Sequence, residues 1–184
     1  MGKLPWVLNA VLLMASCLQG ASIRTSSEER LVQHFGQEAS YEFSYFLIPA
    51  DLKTKIEQTT RQHFFKDKVY YWKVTRRDST VGFAILDNVM GKAMPITFLV
   101  IFDDQGRVLS SDIIKYREAI GGEVSNPRWL KQFSNMEQKD FLDPHLRVDG
   151  ISGATISVNS VSKGIMKLGL LFPEIKDLAM TQTK

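Results

Sequence analysis

From Lys68 to Lys115 the chain repeats one pattern that leaves few folds open: β-branched and aromatic runs separated by clusters of turn-forming residues. Val69 to Val74 is such a run, the polar Arg76-Arg77-Asp78-Ser79 interrupts it, and Val81 to Leu86 resumes it. Side chains of this kind suit a pleated, half-buried surface, and the interruption is short enough for a hairpin. Ile96 to Phe102 and Arg107 to Lys115 flank Asp103-Asp104-Gln105-Gly106 in the same way, which gives a second hairpin. Strands in direct succession, with helical patterns before and after, predict an α+β fold: an antiparallel sheet of about four strands packed with helices, not alternating βαβ units.

The flanking segments carry the helices. Ser22 to Ser27 reads as a tether, and Ser27 as the cap of a short helix with Glu28 and Glu29 in its first turn. Leu31, Val32 and Phe35 form its apolar face, and Gly36 closes it. Pro49-Ala50-Asp51 opens a second helix, with Leu52, Ile56 and His63 or Phe64 aligned. Asn126-Pro127 starts a third, through Trp129, Leu130 and Phe133, whose aromatics read as core residues. The organisation expected is a leader at 1–21, a linker with helices at 22–67, the main domain at 68–172 and a tail at 173–184.

The chemistry concentrates near the C-terminus, where Asp149-Gly150-Ile151-Ser152-Gly153-Ala154-Thr155-Ile156-Ser157 leads into an amphipathic segment. Val158, Val161, Ile165, Leu168 and Phe172 recur at three- and four-residue steps, so a helix with one buried face follows. The first N–H groups of such a helix lack partners and carry the positive end of its dipole, and a glycine before them lets an anion approach. Thr155 then sits at an anion site. A Ser or Thr capping the helix is the plainer alternative. His34, His63 and His145 show no triad setting and read as surface or structural residues.

Asp149, Ser152-Gly153-Ala154-Thr155 and Ser157 resemble the Asp-x-x-Ser/Thr-Gly-Ala-Thr flavinylation motif of the FMN-binding domain family, which includes the flavin-carrying subunits of the sodium-pumping NADH:quinone reductase and Rnf-type complexes. The resemblance extends to Gly82-Phe83-Ala84-Ile85-Leu86, to Pro95 to Phe102 with its following turn, and to Tyr116-Arg117-Glu118 before Gly121-Gly122. It implies FMN joined through its phosphate to Thr155, by a flavin transferase that takes FMN from FAD with Mg²⁺. It also implies cofactor contacts from Asp149, Ser152, Gly153, Ala154 and Ser157, and from Glu118, Gly121 and Gly122 in the middle loop. In that loop Arg117 is expected to favour an anionic reduced flavin and Glu118 to oppose it, the alternative being that the two form a solvated pair. The glycine of Met90-Gly91-Lys92 marks a candidate wall of the same site. For Asp149 two roles stand side by side, recognition by the transferase and bonding to backbone N–H groups of its own turn.

The N-terminus has a targeting layout: Lys3, an apolar run from Leu4 to Ala15 broken by Pro5 and Asn9, then small residues. The run falls short of the roughly 20 apolar residues that span a bilayer. Met14-Ala15-Ser16-Cys17 resembles a bacterial lipobox, which implies lipidation at Cys17; cleavage near Gly20 or Ala21 and an uncleaved anchor are the alternatives. Each places the domain outside the cytoplasm, in the periplasm or on the outer face of the membrane. Cys17 is the only cysteine, so no disulfide, Cys-bound metal or iron–sulfur cluster can be built within the chain. Redox chemistry would need an organic cofactor. A formal charge of +3 spread along the sequence gives no nucleic-acid footprint, and no Gly-x-Gly-x-x-Gly turn for a dinucleotide is present. The reading is an electron carrier with covalent FMN, working between redox proteins in or at the membrane. A reductase subunit acting on a terminal acceptor and a binding or sensing module without flavin are the alternatives.

Overall fold

The computed structural model describes residues 23–143 and 146–181. Cys17 and the rest of the leader, His145 and the last three residues lie outside them. Five strands form one antiparallel sheet in sequence order: β1 (Ser40–Leu47), β2 (Lys68–Arg76), β3 (Ser79–Met90), β4 (Pro95–Phe102) and β5 (Val108–Lys115). The helices are α1 (23–35), α2 (Ala50–Thr60), the short α3 (Pro127–Leu130) and α4 (Thr155–Thr181). Both expected hairpins form, β2–β3 around Arg77 and Asp78, which take positive φ, and β4–β5 around Gly106 at φ +86°.

The sheet is buried on both sides, which makes its inner strands continuously apolar. Phe98, Val100 and Phe102 of β4 belong to the core beneath α2 and α4, while Leu99 and Ile101 belong to the core beneath α1. Period-two alternation thus separates two cores along a single strand.

The structure departs from the sequence reading at four places. The fifth strand, β1, was not expected; it pairs with β2 from Ser40↔Thr75 to Leu47↔Lys68, but α2 lies between them, so no tight turn marks the pairing. Residues 23–27 are helical and form no tether. Ser27 is buried inside α1, its hydroxyl donating to the Ile23 carbonyl at 2.8 Å, so it caps nothing. His63 and Phe64 lie past the end of α2, where Arg61 takes φ +52°. Finally, α4 runs through Pro173 to Thr181, so 173–181 is helix and not tail. Burial of Ile175 and Ala179, with Lys176 Nζ donating to the Asp104 carbonyl at 2.7 Å, offsets the hydrogen bond that proline cannot donate.

Two features seat α4 against the sheet. Gly164 brings the helix so close that a Cβ there would stand 2.7 Å from Val89 Cγ1 and 2.8 Å from Phe98 Cζ. Three residues on, Lys167 Nζ lies 2.8 Å from Asp87 Oδ2, with both side chains almost wholly buried. The contact is a charge pair whose angle misses hydrogen-bond geometry at Oδ2. The ammonium also donates to the His63 carbonyl at 3.0 Å and lies 4.3 Å from the centre of the Phe64 ring. Burial pushes the Asp87 carboxyl above its ordinary range, against the pull of Lys167.

A buried charge that loses its partner is costly, whereas an apolar pair of similar volume is often tolerated. Lys167→Met should therefore destabilise the fold by about 3–5 kcal/mol, and adding Asp87→Leu should recover much of the loss. Denaturant unfolding of the two single variants and the double variant checks this as a cycle.

Candidate functional site

Helix α4 begins without a protein cap. Its cap position is Ala154, a buried residue with no side-chain acceptor, and the first intrahelical bond runs from Val158 N–H to the Ala154 carbonyl at 2.9 Å. Among the described residues nothing accepts from the N–H groups of Thr155, Ile156 or Ser157. Three unpaired donors and the positive helix end are a ready anion site. The turn before them is closed by Ala154 N–H to the Ile151 carbonyl at 3.1 Å, and Gly153 takes the φ of +79° favoured by glycine at the third position. The alternative in which Ser152 or Thr155 caps the helix has no support, since neither side chain bonds the first turn.

A cleft of about 440 Å³ opens at this helix end, lined by Gly153 to Ser157 and by Lys92, Glu118, Ala119 and Ile120. Thr155 is exposed on its wall and its hydroxyl has no partner among the described residues. A larger cavity of about 560 Å³ lies at the opposite end of the sheet and contains no motif residue.

Ser157 has a different role from its neighbour. It is buried, and its Oγ lies 3.0 Å from the Tyr116 hydroxyl, which donates to the Ile120 carbonyl at 2.6 Å. A phenol has one proton, so Tyr116 accepts from Ser157. This relay fastens the helix to the middle loop. Gly121, at φ +88°, is required there, because a Cβ would stand 2.7 Å from the Tyr116 hydroxyl and 3.3 Å from Ser157 Oγ. A Cβ at Gly122 would meet only the Tyr116 ring, at an ordinary contact distance of 3.8 Å. Both glycines shape the loop and neither lines the cleft.

Glu118 clasps the opposite wall. Its Oε1 accepts from the N–H groups of Ala93 at 2.8 Å and Met94 at 3.1 Å, and these bonds hold its carboxyl below the usual range. Gly91 is needed beneath it, since a Cβ would collide with the same Oε1. Lys92 thereby joins the cleft as its cation, which the sequence signalled only through the adjacent glycine.

Arg117 does not form the solvated pair with Glu118 that was the alternative for this loop. It donates to the Pro95 carbonyl at 2.8 Å and to Thr97 Oγ1 at 3.0 Å, away from the cleft, and forms no pair with Glu118. Its guanidinium ties the middle loop to β4. Asp149 and Ser152 also lie outside the cleft lining. The backbone of Asp149 is held at both ends, its N–H donating to Gln132 Oε1 at 2.8 Å and its carbonyl accepting from Trp129 Nε1 at 2.7 Å. Its carboxylate is exposed and bonds none of the described N–H groups, so the turn-bonding role is absent. Trp129 and Phe133 are core residues in edge contact at 5.2 Å. His63 pairs with Glu57 at 3.0 Å and His34 packs edge-on against Phe35, both far from nucleophilic chemistry.

The matched family agrees with this geometry. Residues 91–168 match the model of the FMN-binding domain. The chain contains a domain of the FMN-binding family. The match begins at Gly91, after β3, and ends at Leu168 inside α4, so it spans the whole cleft lining. No curated protein matches the chain.

The Glu118 clasp carries a pH dependence. A carboxylate with a lowered folded-state pKa stabilises the closed wall above the unfolded value of about 4.3 and loses that effect as pH falls through the lowered one. Amide protection at Ala93 and Met94 should therefore hold at neutral pH and disappear on acidification. In Glu118→Ala it should be absent throughout, and amide exchange followed by NMR checks both.

Proposed function

We propose that this FMN-binding domain carries its flavin covalently, through a phosphate ester on Thr155, and serves as an extracytoplasmic electron carrier. The observation that carries the reading is the uncapped start of α4: three unpaired N–H groups beside an exposed threonine hydroxyl, with Lys92 across the cleft. A dianionic or monoanionic phosphorus group fits that cradle, and a phosphodiester on Thr155 would supply the acceptor that Ala154 lacks.

A threonine hydroxyl is a weak nucleophile, and no described side chain bonds that of Thr155 to serve as its base. Attachment is accordingly assigned to a flavin transferase acting with FAD and Mg²⁺. The Thr155 Oγ–P bond forms, the pyrophosphate bond of FAD breaks, AMP leaves, and the hydroxyl proton passes to a base of the transferase. The exposed Asp149 carboxylate, rigidly placed by Trp129 and Gln132, suits recognition by that enzyme.

Bound FMN supplies one- and two-electron chemistry; the protein supplies placement and the surrounding charge. Gly153 to Ser157 and Lys92 would hold the phosphate, while Ala119, Ile120 and Ile156 offer apolar surface to the ring. A covalent link prevents loss of the cofactor outside the cytoplasm, where redox proteins in or at the membrane are the partners. The targeting layout of the leader supports that location.

Chain produced together with a flavin transferase should gain the mass of FMN less one water and fluoresce on a denaturing gel. Thr155→Ala should show neither and stay folded, with a stability change of about 1 kcal/mol or less; Thr155→Ser should retain attachment. A flavin-bearing Thr155→Ala protein would move the ester elsewhere.

A further inference from the structure

Nine large hydrophobic side chains are exposed among the described residues; seven gather at one end of the sheet, and Leu142 follows Phe141, which packs against α4 at Gly169. Leu47, Phe65, Met90, Met94, Ile120 and Ile156 all sit at one end of the sheet, with Tyr45 two residues inside Leu47. The registers Leu47↔Lys68, Met90↔Pro95 and Thr97↔Lys115 place those strand ends side by side. Met180 sits at the other end, beside Thr80. The flavin site does not account for the apolar end, since only Ile120 and Ile156 of this group line the cleft. Apolar groups clustered in this way mark an interaction surface.

Charge and chain entry indicate what covers it. Lys66 and Lys68 border a second cavity of about 400 Å³ together with Ile23, Arg24, Phe43 and Tyr70; the carboxylates beside them are already paired, Asp87 with Lys167 and Asp67 with Lys53. Lys68 Nζ lies 5.3 Å from the Tyr45 ring centre and 5.4 Å from that of Tyr70. Lys92 adds a further cation at the cleft. Cations interleaved with aromatic and aliphatic side chains suit the interface of a bilayer with anionic headgroups. The described chain enters at Ile23, at this same end, and the residues before it include the apolar run Leu4 to Ala15. Eight residue steps separate Ala15 from Ile23 and reach at most about 29 Å fully extended. The far end of the sheet lies a further strand length away, about 26 Å. The chain thus leaves the domain at the end that carries the apolar group, a strand length nearer to the leader than the far end.

The geometry points to a membrane-docking surface at this end of the sheet, which seats the flavin cleft against a bilayer carrying anionic lipid. The inference deepens the proposed carrier function and rests on the leader keeping the chain at a membrane; it does not require flavin attachment, which mass reports separately. The far-end turns at Arg76–Ser79 and Asp103–Arg107 would face the aqueous phase.

Backbone amide exchange of the full chain, with and without vesicles of phosphatidylglycerol and phosphatidylcholine, tests this without labels. Vesicles should slow exchange at 64–68, 90–94 and 118–121 and leave 76–80 and 103–107 unchanged. The double variants Leu47→Ser/Phe65→Ser and Lys66→Gln/Lys68→Gln should each lose that protection several-fold while their flavin mass and free-protein exchange stay as in wild type. Vesicle-bound protein without near-end protection would overturn the proposal, leaving the leader as sole anchor. Protection equal with and without vesicles would assign the surface to the chain's own leader, and protection found only in native membranes would assign it to a protein partner; either result also overturns it.

Discussion

The site depends on how closely α4 lies across the sheet. Gly164 permits the approach to Val89 and Phe98, and Lys167 fixes the helix along its axis through Asp87 near the end of β3. Both contacts lie more than two turns beyond Thr155, so they set where the first turn ends up without taking part in its chemistry. At the other end Phe172 packs on Phe83 and Phe102, with ring centres 5.6 and 5.0 Å apart. A helix held along its length can leave its N-terminus unsatisfied, because packing and not capping supplies its stability.

The remaining walls are loops made rigid by a few polar bonds. Glu118 orders the β3–β4 loop, Arg117 ties the middle loop to β4, and the Ser157–Tyr116–Ile120 relay joins that loop to α4. Consecutive residues on one loop thus face in different directions and hold different neighbours. The glycines at 91 and 121 are the positions where this crowding leaves no space for a side chain. Polar residues spent on scaffolding leave Thr155, the free N–H groups and Lys92 to meet a cofactor, a division that keeps the reactive hydroxyl accessible.

The two hairpins were legible in the sequence because turn residues and strand period are local signals. β1 was not, because its partner lies beyond an intervening helix and an edge strand with one exposed side carries a weak pattern. The extension of α4 past Pro173 escaped for a related reason: the proline is visible in sequence, but the burial of Ile175 and Ala179 that outweighs it is not. At the site, the motif located Thr155 and the helix start, and the glycine at 91 hinted at the opposite wall. The bonds of Arg117 to Pro95 and Thr97 were not legible because sequence gives a residue's position on a loop but not the direction of its side chain. Ser157 lines the cleft as the motif suggested, but its hydroxyl bond to Tyr116, and the space Gly121 leaves for that bond, carry no local signal in the sequence.

The central claim is that the open first turn of α4 is completed by the phosphate of a flavin attached to Thr155. A crystal structure of the flavinylated protein tests it most directly. Phosphate oxygens should lie about 2.7–3.2 Å from the nitrogens of at least two of the N–H groups of Thr155, Ile156 and Ser157, with the ester on Thr155 Oγ. A phosphate held elsewhere, with that turn capped by a protein side chain, would contradict it.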